Sequence, residues 1–441
     1  MRVGYIGLGS MGGVLARRLV GAYPLTVWDL NEGAAETFKE LGATVAPTAA
    51  DLARECDIIL LCLPRTSDVR KLMFGAGGLA EGLSAGKLVV DQTSGVPGET
   101  VVIANELAER GIAMMDAPVS GGVVGAASGT ITIMASGTQA DHDRALPVLK
   151  AISSNVFRCG ARVGDGQAMK LVNNLLSAGC RLAALEVVAL GRKLGLSLAA
   201  ITDAINSGPA CNRTTKVTLQ GIVDGKAAVS NFAMALMLKD ISQSIQLGKV
   251  CGVPTTLANI VRGLLQIGVS TLGKDVQFDR VMGLIESMAG TRIVDPADAE
   301  EGPYPNAQVA GEKELHLIQN AVAACNLLLT YEAASIAVAY GLKLSDVDML
   351  INKSTGWSAA SERILPSLSS AKTTSTVKLH AMVDDLMLVS QLAIEQGAPM
   401  LIASTVGSLY EIGAHKLGPQ ASIDSMAKLY ESMAGIAFEG A

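Results

Sequence analysis

Aromatic side chains are scarce in this chain: Phe, Trp and Tyr together make only 3% of its 441 residues. A core with so few rings has to be built from Ala, Leu, Val, Ile and Met, and a hydrophobic content of 49% supplies it. The 17 methionines belong to that packing rather than to a cofactor box. Clustered positive charge is missing as well. The net charge is −6 and the pI about 5.4, with no run of Lys or Arg, so a nucleic-acid partner has no electrostatic footing. The histidines (His142, His316, His380, His415) are scattered, and the seven cysteines show neither CxxC nor Cys/His spacing. No metal is expected, and an odd number of unpatterned thiols suits a reduced, cytoplasmic setting. His142, in the polar run ADHDR, reads as solvent-facing. A secretory leader is not expected, because Met1 leads straight into the strand-like RVGYIGLG. The most apolar long run, 321–342, carries Asn326 and Glu332 near its middle, so it reads as a buried helix and not as a membrane span.

What is present changes character along the chain. Up to residue 164, short apolar runs at 3–8, 25–30, 57–64, 87–93, 113–119 and 130–136 alternate with helical patterns, which predicts a parallel sheet with helices on both faces. From 165 to 290 the pattern is helical, over 167–195, 198–207, 233–252, 254–273 and 278–289, with Gly195, Gly252 and Gly273 where helices would end. Residues 291–313 have three prolines, several acids and little periodicity, and read as a linker. The remainder, 314–441, repeats the helical part. ALEVVALGRKLGLSLAAITDAIN (184–206) aligns with TYEAASIAVAYGLKLSDVDMLIN (330–352), pairing Glu186 with Glu332, and LMLKDISQSIQLGKVCGVP (236–254) aligns with AMVDDLMLVSQLAIEQGAP (381–399). ESMAG closes both copies. Offsets of 145–146 residues at three places mark an internal duplication.

The sequence GLGSMG (Gly7, Leu8, Gly9, Ser10, Met11, Gly12) sits between the first strand and the first helix. Gly7 permits a tight turn, Gly9 leaves room for a pyrophosphate, and Gly12 lets helix and strand approach. A second strand then ends at Asp29, where an acid can accept hydrogen bonds from the adenosine ribose and would repel a 2′-phosphate. The expectation is an α/β Rossmann-type, doubly wound N-terminal domain that binds NAD in preference to NADP, followed by two duplicated all-α domains.

Four motifs in this order, GLGSMG (7–12), DAPVSGG with GAASGT (116–130), GDGQAMKLVNN (164–174) and LKD (238–240), resemble the β-hydroxyacid dehydrogenase family, which includes 3-hydroxyisobutyrate dehydrogenase and tartronate semialdehyde reductase. The resemblance implies a hydride transfer between nicotinamide and the alcohol or aldehyde carbon of a small β-hydroxy acid. It implies that Lys170 is the general acid/base and that Asn174 orients the substrate. It implies carboxylate binding by Ser120, Gly121 and Gly122, a substrate pocket at Phe232 and Asp240, and cofactor contacts at Leu63, Pro64, Asp68, Ser94 and Lys239. Asp68 stands where some members carry Asn, and Thr93 and Ser94 form a swapped hydroxyl pair.

The chemistry is sensible without the family. A hydroxyl proton must leave as hydride is removed, and a buried lysine near a cationic ring can take it. Residues four apart on a helix share a face, so Asn174 can hold the oxygen whose proton Lys170 exchanges. A Ser-Gly-Gly turn offers a hydroxyl and open backbone N–H groups to a carboxylate. The plainer readings are a solvated helix lysine, capping amides at Asn173 and Asn174, a bare turn at 120–122 and a surface ion pair at Lys239 and Asp240. In the second copy His316 replaces Lys170, Gln319 replaces Asn173, Asn320 repeats Asn174, and Asp384 with Asp385 replaces Lys239 with Asp240. No glycine-rich unit precedes that copy, so one active site per chain is expected. Helical domains pair between subunits in the family, so the second copy leaves two arrangements open: a homodimer through helical domains, or a monomer with an internal pseudo-dimer. The competing functions are a non-catalytic NAD-binding sensor or scaffold and an imine reductase of the same fold; the presence of Lys170 argues against both. A 6-phosphogluconate dehydrogenase would want a basic cluster that the sequence lacks.

Overall fold

The computed structural model describes residues 1–226, 232–294, 311–370 and 374–440, which divide into two units, Met1–Leu171 and Val172–Ala441. Most of the expected linker, 295–310, lies outside the described residues.

The first unit is built on apolar tetrapeptides. Strands β1 (Val3–Ile6), β2 (Leu25–Trp28), β3 (Thr44–Val45), β4 (Ile58–Leu61), β5 (Leu88–Asp91) and β6 (Ala113–Asp116) pair in parallel in the order β3-β2-β1-β4-β5-β6. Successive side chains point to opposite faces, and both faces are covered. Val3, Tyr5, Ile58, Leu60, Leu88 and Val90 enter one core, while Ile6, Ile59, Leu61 and Val89 enter the other. This double burial explains why the strands read as unbroken apolar runs.

The far edge departs from the expected parallel sheet. β7 (Val119–Ser120) and β8 (Thr132–Ser136) run antiparallel, β8 also meets β6 antiparallel at Asp116 and Ser136, and β9 (Val156–Gly160) lies parallel to β8. The stretch from β7 to β8 is shorter than the dozen or so residues that a parallel crossover needs, so the chain returns in the opposite sense. β3 has two residues and β9 is mostly half-buried, which is why neither shows in the periodicity. His142 is not solvent-facing: it is buried in the helix Gln139–Ile152, on the face that also carries Ala145, Val148, Leu149 and Ile152. Its polar sequence neighbours lie elsewhere on the same turn.

The second unit holds both helical copies. A 29-residue helix opens each, Asp165–Lys193 and Glu312–Tyr340. Equivalent helices follow at Leu198–Asn206 and Leu344–Ile351, Met234–Val250 and Leu379–Gln396, Thr256–Leu272 and Leu401–Leu417, and Val281–Ala289 and Met426–Ala434. Glycines in the left-handed region end several of them, among them Gly290 (φ 61°) and Gly435 (φ 64°) at the matching ESMAG sequences. The copies were expected as separate domains but form one unit, because each completes the other. Glu332 of the second long helix accepts from the N–H groups of Leu257 (2.9 Å) and Ala258 (2.8 Å), at the start of the first copy's helix Thr256–Leu272. Glu186 of the first long helix accepts from Leu401 (3.2 Å) and Ile402 (3.0 Å), at the start of the second copy's helix Leu401–Leu417. The exchange is reciprocal, as a two-fold relation requires. Equivalent residues Asn212 and Ser358 face each other in an antiparallel bridge, with Arg213 N–H donating to Trp357 O (3.1 Å) and Ala359 N–H to Cys211 O (2.8 Å).

Both carboxyls are buried. Burial pushes Glu186 from its ordinary 4.5 up to about 8 and Glu332 up to about 7, against the opposing pull of the backbone donors. A carboxyl raised in the folded state contributes stability that is fully present below pH 4.5 and is lost as pH rises, for Glu186 until about pH 8. Glu186→Gln removes that titration. The gap in Tm between wild type and this variant should therefore shrink from pH 5 to pH 8; a gap that stays constant contradicts the assignment.

Candidate active site

The parallel strands deliver the cofactor-binding candidates at their carboxyl ends: Gly7 after β1, Asp29 after β2, Leu63 after β4 and Ser94 after β5. β1 and β4 are adjacent while their crossovers diverge, the position at which doubly wound sheets bind nucleotides. The glycine loop fits a dinucleotide. At Gly7 (φ 92°) a Cβ would lie 2.3 Å from Cys62 O, and at Gly12 a Cβ would lie 2.0 Å from Gly7 O, so both are required for the turn and the close packing. At Gly9 a Cβ would meet nothing within 4 Å, so the backbone there is open to a ligand. Leu8, Gly9 and Ser10 line a cleft together with Arg17, Asp29 and Asn31. The Asp29 carboxylate is fixed in it by the N–H groups of Leu8 (2.6 Å) and Asn31 (2.7 Å).

The other candidates of the first unit fall on neighbouring loops. Leu63 N–H donates to the buried Thr93 hydroxyl (3.1 Å), which ties the loop of Leu63 and Pro64 to the segment carrying the half-buried Ser94. Asp68 lies in the first turn of the helix Thr66–Phe74. Ser120 is buried in β7, and Gly121 (φ 134°) and Gly122 (φ 71°) follow with backbone that side chains other than hydrogen rarely adopt. Ser94 lies one residue beyond Thr93.

Two residues missed by sequence reasoning hold the start of the first long helix. Asp116, at the end of β6, accepts from Gly164 N–H (2.6 Å), Gln167 N–H (2.7 Å) and the Ser136 hydroxyl. Its burial outweighs these donors and raises it from 3.8 to about 7. Asp91, at the end of β5, accepts from the Gln167 side chain (3.2 Å). Lys170 follows Gln167 by three residues, so both acids set its height above the sheet ends. A carboxylate closing a strand just before a Gly-rich motif was the available signal, as in DAPVSGG.

Lys170 and Asn174 are one turn apart on this helix, and both are buried. The Asn174 amide donates to Asp240 Oδ2 at 2.6 Å, and Lys239 Nζ lies 3.2 Å from Asp240 Oδ1. Asp240 is only 1% exposed, which rules out a surface ion pair. Three of the residues singled out in the helical part therefore form one cluster: Asn174, Lys239 and Asp240. Phe232 is joined elsewhere, its carbonyl accepting from Phe278 N–H (2.8 Å). The second copy repeats the geometry without the lysine. Asn320 donates to Asp385 Oδ2 at 2.6 Å, and the His316 ring lies 3.0 Å from the Asn320 amide.

Residues 2–160 match the family described as the NAD binding domain of 6-phosphogluconate dehydrogenase. The family described as NAD-binding of NADP-dependent 3-hydroxyisobutyrate dehydrogenase matches twice, over 164–285 and 313–430. Human mitochondrial 3-hydroxyisobutyrate dehydrogenase is 35% identical over 246 residues, 54% of this chain and 73% of the relative. The 2-(hydroxymethyl)glutarate dehydrogenase of Eubacterium barkeri is 32% identical over 66% of this chain and 97% of its own length. In fold alone, Plasmodium falciparum 6-phosphogluconate dehydrogenase covers 94% of this chain and 93% of its own, at a TM-score of 0.65 and 14% identity. A doubly wound dinucleotide domain, a lysine and an asparagine on the next helix, and a helical family matched twice leave one placement: the chain belongs to the β-hydroxyacid dehydrogenase family of NAD(P)-dependent oxidoreductases.

Proposed function

We propose that the chain oxidises a small β-hydroxy acid, or reduces the matching semialdehyde, with NAD as cofactor and Lys170 as the proton-transfer residue. The observation that carries this reading is the first long helix, which presents Lys170 one turn from an Asn174 held by buried Asp240. The glycine loop and Asp29 would hold a nicotinamide dinucleotide, which would supply the hydride acceptor for the alcohol carbon and the hydride donor in the reverse direction. As the carbon–oxygen double bond forms, the Lys170 amine takes the hydroxyl proton; in the reductive direction its ammonium gives the proton back to the carbonyl oxygen. Asn174 donates one amide hydrogen to Asp240 and has a second for the substrate oxygen. Ser120 with the amides of Gly121 and Gly122 is the proposed seat of the carboxylate, Phe232 and Asp240 are proposed to contact substrate, and Lys239 balances the charge of buried Asp240. The named substrates of the human and Eubacterium relatives, 3-hydroxyisobutyrate and 2-(hydroxymethyl)glutarate, both carry a hydroxyl β to a carboxylate. The copies exchange helix caps within one chain, which supports an internal pseudo-dimer.

A panel of β-hydroxy acids, including 3-hydroxyisobutyrate and glycerate, assayed with NAD and with NADP by the absorbance of the reduced nicotinamide, tests the reading. Turnover of at least one acid is expected; dinucleotide binding with no turnover on any of them points to a sensor. The preference for NAD rests on Asp29, whose carboxylate faces the cleft that Arg17 and Asn31 also line. Asp29→Ser should shift the NADP-to-NAD ratio of kcat/KM by about tenfold toward NADP, since a negative charge that repels a 2′-phosphate is gone. An unchanged ratio would place cofactor choice elsewhere.

A further inference from the structure

We infer that Thr355 and Gly356, from the C-terminal copy, form a positioning loop for the catalytic helix of the first copy, a reading that rests on the roles proposed for Lys170 and Asn174. Asn173 lies between them and is fully buried. Its Nδ2 donates to Thr355 Oγ1 at 2.9 Å and to Asn174 Oδ1 at 3.2 Å, while its Oδ1 accepts from Gly356 N–H at 2.9 Å. Asn174 in turn donates to Asp240 at 2.6 Å. The network therefore runs from the loop through Asn173 to Asn174 and ends on a buried carboxylate. Each amide is engaged as both donor and acceptor, which fixes which way it faces.

Gly356 makes the close approach possible. A Cβ there would lie 3.0 Å from both Asn173 O and Asn173 Oδ1, and 3.1 Å from Leu176 Cβ. Two of these atoms belong to the helix framework and cannot swing aside. Any side chain at 356 would push the loop off the helix one turn beyond Lys170.

The duplication supplies an internal control. By the same offset, the loop of the first copy carries Pro209 and Ala210 where the second carries Thr355 and Gly356. Proline has no N–H and neither residue has a hydroxyl. This loop follows Gly208, which packs against Gln319, the counterpart of Asn173, and Gln319 donates instead to Ala204 O at 2.8 Å. The Thr355–Gly356 loop thus hydrogen-bonds the amide next to Asn174 on the lysine-bearing helix, whereas the first copy's loop meets the helix with His316 further along, where Asn326 Nδ2 donates to Ala210 O at 2.8 Å. The second copy is therefore part of the working site, supplying from its own loop what orients the substrate amide.

The test uses the full chain with Thr355→Val, Thr355→Ser and Gly356→Ala. Thr355→Val should lower kcat on the best hydroxy acid about tenfold and raise its KM, with the Kd for NAD within twofold of wild type and Tm within about 2 °C. Thr355→Ser, which restores the hydroxyl, should return both constants to within twofold. Gly356→Ala should act in the same direction as Thr355→Val. A second readout is independent of turnover: with 15N-asparagine labelling, Thr355→Val should move the side-chain amide signals of Asn173 and Asn174 and leave Asn320 in place. Unchanged kinetics and an unmoved Asn174 signal overturn the proposal, as does a loss of activity that tracks Tm and is not rescued by serine. If the wild type turns over no hydroxy acid, the dehydrogenase reading fails by itself, and the Asn174 signal still decides the loop: displacement supports it, and no displacement refutes it.

Discussion

Lys170→Met should cut oxidation of the hydroxy acid by about a thousandfold, within the range that general acid–base groups supply, while the dinucleotide binds as before. Methionine matches the length of the lysine stem and suits a position only 6% exposed, so the helix keeps its packing. What disappears is the amine proposed to take the proton from the substrate oxygen. The glycine loop, Asp29 and the strand-end loops stay untouched, which is why binding and turnover separate. Absorbance of reduced nicotinamide reports turnover, and a fluorescence titration with the dinucleotide reports binding. Activity above a tenth of wild type in this variant would remove Lys170 from the mechanism, and joint loss of binding and turnover would point to a folding role.

Glu332→Ala is expected to destabilise the helical unit strongly. The Leu257 and Ala258 residues whose N–H groups it caps are both fully buried, so water cannot replace the carboxylate. Each stranded donor costs roughly 1–3 kcal/mol, and the helix Thr256–Leu272 loses a favourable acid at its positive end. A loss of about 3–5 kcal/mol follows, read as a fall in urea midpoint at pH 8, above the raised pKa of about 7 at which Glu332 ionises. Glu332→Gln keeps one acceptor and should lose about half as much. Because Glu186 makes the same contacts in the opposite sense, Glu186→Ala should give a comparable loss. A cost under 1 kcal/mol at either position would mean that the two copies do not depend on each other's caps.

These two predictions differ in how far the sequence alone reaches them. Lys170 stands in a motif, and its role depends on spacing along one helix, so residue types and intervals suffice. The same is true of Gly7, Gly9 and Gly12, whose function is set by the absence of a side chain, and of Asp29 at a strand end. Glu186 and Glu332 were visible as a matched pair in apolar helices, but what they bind lies 215 and 75 residues away. No periodicity encodes such a contact. Asp116 is similar: the residue closes a legible strand, yet its function comes from Gly164 and Gln167, about fifty positions on. The antiparallel edge at β7 and β8 escaped because a two-residue strand has no pattern to read. The loop of Thr355 and Gly356 escaped because its partner is in the other copy, and only folding shows which copy's loop meets which helix.

In the proposed arrangement one chain has one active site, built on the helix with the lysine, and the matching helix with the histidine serves it as a partner. The most direct measurement compares the rate of hydride transfer, followed as nicotinamide absorbance in a single turnover, in Lys170→Met and His316→Ala. The account predicts about a thousandfold loss in the first and a rate within twofold of wild type in the second. Comparable losses in both, or retained transfer in Lys170→Met, would contradict it.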